Sequence, residues 1–135
     1  MQWSDADFLE MSWHDNYIHT IAFPGDDCEM ILDIDYIFEW EFNEKETLSR
    51  FWISPCSLTF SNVSHLKIDL YFKNSVGLEI SNIKRGEPRI SANGSMTIWK
   101  YTIETDKGAI TFESTGFIQK VNKPPVLNDA QILPR

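Results

Sequence analysis

Between residues 28 and 41 the chain alternates without a break. Cys28, Met30, Leu32, Ile34, Tyr36, Phe38 and Trp40 take the even positions, and Glu29, Ile31, Asp33, Asp35, Ile37, Glu39 and Glu41 take the odd ones. Seven apolar residues at alternate places predict a strand with one face on a core, Trp40 included. The same period predicts strands over Tyr17–Phe23, Phe51–Ser54 and Cys56–Ser61, the last two separated by Pro55. Leu66, Ile68, Leu70 and Phe72 alternate with His65, Lys67, Asp69, Tyr71 and Lys73, and Lys73–Gly77 reads as the turn of a hairpin. A further strand begins at Leu78–Ile80 and slips phase at Asn82–Ile83, as a bulge would make it.

Turn chemistry punctuates these runs. Pro24-Gly25-Asp26-Asp27 ends the first strand, and Asn43–Ser49 is a polar connection. Asn93-Gly94 precedes Trp99-Tyr101-Ile103, and Asp106-Lys107-Gly108 leads into Ile110–Val121, which slips phase near Thr115-Gly116. Pro124-Pro125 closes the strand region, leaving a tail that can fold back through Leu127, Ile132 and Leu133. Only the opening departs from period two. Ser4 is a helix N-cap, Asp5 and Asp7 suit a first turn, and Phe8 with Met11 forms an i,i+3 apolar pair. These elements predict one all-β domain over residues 1–135, an antiparallel sandwich or flattened barrel with a short N-terminal helix and a tail over 122–135.

Charge adds an asymmetry to this outline. The formal net charge is −8. Residues 1–49 hold 13 acidic side chains against one lysine, whereas residues 50–135 hold 7 acidic against 11 basic. An acidic pole repels nucleic acid and anionic membranes and attracts basic partners. No apolar run approaches the roughly 18 residues of a membrane span, and the opening residues lack the basic and apolar regions of a signal peptide. A cytoplasmic protein is expected, with Cys28 and Cys56 as two buried thiols.

Few constellations suggest chemistry. There is no G-x-S-x-G, phosphate loop, C-x-x-C or H-E-x-x-H, so no catalytic set, metal or cofactor is expected. His14-Asp15 is a candidate polar site, read either as a metal ligand or an acid–base group with its orienting carboxylate, or as a side-chain hydrogen bond or cap where the helix meets the strand. His19 points away from His14 if both lie in a strand, so they would not share a metal.

Strand parity places Glu29, Asp33, Asp35, Glu39 and Glu41 on one face. Asp33 and Asp35 would stand roughly 7 Å apart, repelling by about 0.6 kcal/mol in water and about 2.4 kcal/mol at an effective dielectric of 20. Cross-strand lysines such as Lys67 or Lys73, solvent, a cation or a basic protein partner could offset this. With Ile31 and Ile37 as anchors, the row reads as a partner-binding surface. Trp13, Trp52 and Trp99 fit a core or a sugar-stacking platform.

Trp13-His14-Asp15, then Asp35-Tyr36-Ile37 with Trp40, then Phe51-Trp52 with Pro55, Leu58, Phe60, Val63 and Leu66, resemble small bacterial β-rich proteins similar to immunity proteins of the immunity-protein-50 type. The resemblance covers roughly residues 13–72 and, weakly, the strands beyond. It implies a cytoplasmic binding protein that neutralises a toxin, often by covering a basic active site. It carries over no catalytic residue. Two function classes therefore stand: a non-catalytic protein-binding module with an acidic surface, and a β-sandwich that binds carbohydrate or another small ligand.

Overall fold

A computed structural model describes residues 1–23, 27–45 and 48–135. Residues 24–26 of the turn expected at 24–27, and part of the connection at 43–49, lie outside the described residues. Among the described residues eleven strands form: β1 (Gln2–Ser4), β2 (Asn16–Ala22), β3 (Met30–Asn43), β4 (Leu48–Ser61), β5 (Ser64–Leu70), β6 (Glu79–Arg85), β7 (Arg89–Ile90), β8 (Thr97–Thr105), β9 (Gly108–Ser114), β10 (Gly116–Val121) and β11 (Val126–Asn128). Every pairing between them is antiparallel. The main order is β1-β10-β4-β3-β2-β6-β8-β9-β5, with β11 beside β4 and β7 beside β8. The sheet is all-β and open, since β1 and β5 end the path without meeting.

Its two halves bend over one core. Phe60 of β4 meets Tyr101 of β8 at 5.1 Å and Phe112 of β9 at 4.7 Å between ring centroids. Phe117 of β10 joins the same group. Met30, Leu32, Ile34, Cys56, Leu58, Ile80, Ile103 and Ile110 are buried around these rings. The even row of β3 therefore faces the core as its pattern requires, as far as Tyr36.

The predicted helix is a 3-10 helix over Asp5–Glu10, capped by Ser4 in a reciprocal box with Asp7. Phe8 packs against Trp13 and under the Arg85 guanidinium, which also lies 3.9 Å from the Trp99 ring centroid. Both short turns form. Asn93-Gly94 joins β7 to β8, with Gly94 at φ 72°, and Asp106-Lys107 joins β8 to β9. A register shift between Ile80 and Asn82 accounts for the first phase slip. The slip at Thr115-Gly116 is a corner. The chain leaves β9, beside β5 and β8, and enters β10, beside β4 and β1, with Gly116 at φ 143°.

Three expectations need correction. Lys73–Gly77 closes no hairpin, because β5 pairs with β9 while β6 pairs with β2 and β8. Pro55 does not break its strand, and β4 runs through it. The Pro55 carbonyl accepts from Asn122 N–H, so its missing N–H also faces the β10–β11 side, where Pro124-Pro125 interrupts pairing, and the β3 ladder loses nothing. Trp40 is not core but 49% exposed.

Candidate functional site

The reason for Trp40's exposure lies in β3. Register shifts by one residue between Ile37 and Glu39. Up to Ile37, the odd residues Asp33, Asp35 and Ile37 lie opposite Ser57, Pro55 and Ile53. Beyond the bulge, Trp40 lies opposite Phe51 and so joins the face of Ile37, while Glu39 and Glu41 cross to the other face opposite Trp52 and Arg50. The five acidic residues do not share one face. Glu29 precedes the strand and is half-buried, Asp33 is half-buried, Asp35 is buried, and Glu39 and Glu41 are exposed.

Asp35 has 0% exposure, and its charge is met from the tail. Its Oδ2 accepts from His19 Nε2 at 2.6 Å and from Leu133 N–H at 2.8 Å, and its Oδ1 accepts from Arg135 Nη2 at 2.7 Å. The same guanidinium forks onto Asp33, with Nε to Oδ2 at 3.0 Å and Nη2 to Oδ1 at 2.9 Å. The Asp33 bond first, then the bond and charge of Asp35, hold the Arg135 proton more tightly than usual, against the opposing effect of burial. The cation that offsets the Asp33–Asp35 repulsion is thus Arg135, and neither Lys67 nor Lys73. Leu133 packs on Ile37, Phe51 and Ile53, a second small apolar cluster on the face opposite the main core. The tail folds back as expected, through β11 and Leu133, while Ile132 stays exposed.

Between tail and sheet lies a cavity of about 560 Å³. Asp33, Pro55 and Ser57 come from the sheet, with Lys123, Leu133 and Arg135 among the residues from the other side. It is an open space with one acidic and two basic side chains on mainly apolar walls.

The far end of the β3–β4 ribbon has a different character. Every residue from Glu39 to Lys45 is exposed, with Phe42 at 64%. Trp40 stacks edge-on with Phe51 at 4.7 Å, and Trp52 Nε1 donates to Glu41 Oε1 at 2.9 Å. The bulge therefore places two aromatic side chains on one side of a projecting ribbon and two glutamates on the other, with Glu44 beyond.

His14 and Asp15 sit together in the turn before β2. His14 Nε2 is 3.4 Å from Asp15, and its Nδ1 is 3.0 Å from the Ser81 carbonyl. Asp15 has φ 64° and donates its N–H to Ile80. Sequence reasoning missed Glu79 beside this pair. Burial first, then the hydrogen bond and charge of Asp15 and the charge of Asp106, push Glu79 up to about 7. Among the described residues no group of three or more His, Cys, Asp and Glu could hold a metal ion. Trp13 is buried, its Nε1 donating to Gln119 at 2.8 Å, while Trp52 and Trp99 are half-buried, so the three make no common platform. Cys56 is buried but Cys28 is exposed, and no disulfide joins them. Among the described residues no helix is long and apolar enough to cross a membrane.

No protein-family model, curated protein or solved structure matches this chain.

Proposed function

We propose that the protein is a non-catalytic binding module that captures a basic protein partner, with the immunity protein of a bacterial toxin as its specific form. The observation that carries this reading is the projecting β3–β4 ribbon, where Trp40 and Phe42 stand exposed beside Glu39, Glu41 and Glu44. Exposed aromatic anchors on one face of a ribbon that carries carboxylates on the other fit a basic target that grips the ribbon from both sides, because charge steers the encounter and buried rings slow departure. Asp33 and Asp35 drop out of the binding row, since Arg135 and His19 already engage them.

Co-expression with the product of the neighbouring gene, followed by stopped-flow kinetics, tests the reading. Association should slow steeply with salt, as the Debye length falls from about 30 Å at 0.01 M to about 8 Å at 0.15 M. Glu39→Lys with Glu41→Lys should lower the on-rate, and Trp40→Ala should raise the off-rate. An unchanged on-rate in the folded double variant, against a partner that does bind, would refute the placement. The cavity beside Asp33 and Arg135 favours a second reading, a small-ligand or carbohydrate site. Calorimetric titration with mono- and disaccharides tests that reading, and binding abolished by Ser57→Trp would support it.

A further inference from the structure

β5 ends the sheet, and its outer edge has no backbone partner among the described residues. Ser64 to Asp69 are all exposed. Ile68 lies opposite the buried Ile110, so the Leu66-Ile68-Leu70 row lies on the core side of the sheet. That row runs past the last strand partly uncovered, with Leu66 37% and Ile68 44% exposed. An open edge of this kind is a template for another strand.

Backbone parity fixes which groups are on offer. Tyr71 N–H donates to the Lys107 carbonyl across the β5–β9 ladder. Asp69↔Ala109 and Lys67↔Thr111 continue the same register at steps of two, so the odd residues spend their N–H and C=O on β9. The N–H and C=O of Ile68 and Leu70 therefore point outward.

We infer that β5 is a self-pairing edge, joining two copies of this chain antiparallel about a two-fold axis through Ile68. Outward groups can meet only outward groups, so the registers open to such a pair differ by steps of two. Centring on Ile68 sets Ile68 against Ile68, Leu66 against Leu70, and Lys67 against Asp69 of the second copy. The neighbouring registers place Lys67 against Lys67, or Asp69 against Asp69, and a further step places Lys67 against His65. Among registers centred within Ser64–Leu70, only the first puts opposite charges together, and it does so twice by symmetry. Lys67 and Asp69 then occupy the non-hydrogen-bonded positions, where facing side chains come closest. The apolar row becomes continuous across the axis, extending each core into the other. The second copy is favoured over a foreign strand because the charge order of β5 complements its own reverse. This surface is separate from the β3–β4 ribbon and does not depend on the function proposed for it.

Sedimentation equilibrium of the full chain from about 1 μM to about 1 mM reads the association directly. A monomer–dimer equilibrium is expected in that range. Lys67→Glu and Asp69→Lys should each weaken it by about tenfold or more, and the double variant should restore it. Both side chains are exposed, and circular dichroism checks that each variant folds. A measurement on the unaltered protein stands beside these. Amide exchange at Ile68 and Leu70 should slow as concentration rises, while Lys67 and Asp69 stay protected at every concentration. A monomer throughout the range, a dimer indifferent to either single reversal, a double variant that fails to recover, or concentration-independent exchange at Ile68 would each overturn the inference.

Discussion

Replacing Asp35 with asparagine turns one carboxylate oxygen into an amide nitrogen at a point where three donors converge. His19 Nε2 and Leu133 N–H meet Oδ2, and Arg135 Nη2 meets Oδ1. Hydrogen bonds to a charged group contribute about 1.5–3 kcal/mol each, and neutral ones about 1 kcal/mol. Asparagine offers one acceptor, so its NH2 must face either the guanidinium or the His19–Leu133 pair. The gross loss is about 3–4 kcal/mol, offset by about 1 kcal/mol because a buried charge no longer has to be desolvated. Asp35→Asn should therefore cost about 2–3 kcal/mol. Asp33→Asn alters the other half of the Arg135 fork, but both partners keep about 30% exposure, so it should cost about 1 kcal/mol or less. Urea unfolding measures both, as a shift in midpoint at unchanged slope. Amide exchange at Leu133 should quicken in Asp35→Asn alone. An Asp35→Asn protein within about 0.5 kcal/mol of wild type, or an Asp33→Asn protein equally damaged, would refute the claim that Asp35 anchors the tail.

Two further outcomes follow from the titratable groups. Glu79 is raised to about 7 in the folded state, so the folded protein binds the extra proton. Its contribution to stability is fully present below its unfolded value near 4.3 and is lost as pH rises through about 7, and Glu79→Gln should flatten that fall in a pH series of thermal melts. Burial pushes the Cys56 thiol up to about 12 while Cys28 is exposed, so iodoacetamide at neutral pH should label Cys28 in the native protein and Cys56 only after unfolding.

What the sequence revealed was local. The Ser4 cap, the Asn93-Gly94 and Asp106-Lys107 turns and the alternation from Met30 to Tyr36 each depend on residues within a turn or a strand of one another. The bulge at Ile37–Glu39 escaped because Phe38 and Trp40 keep the apolar parity on which a strand is recognised. An acidic row that looks continuous along the chain is therefore split between two faces. The burial of Asp35 escaped for a different reason, since two of the three groups that satisfy it, Leu133 and Arg135, lie about a hundred residues away. The edge position of β5 follows from β9 lying between it and β8, a pairing that nothing in His65–Lys73 announces. Glu79 carried no motif, and its environment arises only when Asp15 and Asp106 come together around it.

The separation of Asp35 and Arg135 by 100 residues also governs when their contact can form. The entropy lost in closing a loop grows with its length, so the β3–β4 ribbon, whose partners are close in sequence, has the advantage over the docking of the tail. A central strand is then expected to spend the early part of folding with its carboxylate still hydrated on the face that Leu133 and Arg135 later cover. Contacts made after the rate-limiting barrier leave the speed of folding unchanged and act on the reverse reaction. The Arg135 fork is thus expected to act on how long a folded molecule survives before it opens, with Asp35→Asn unfolding faster than wild type while folding at the same speed.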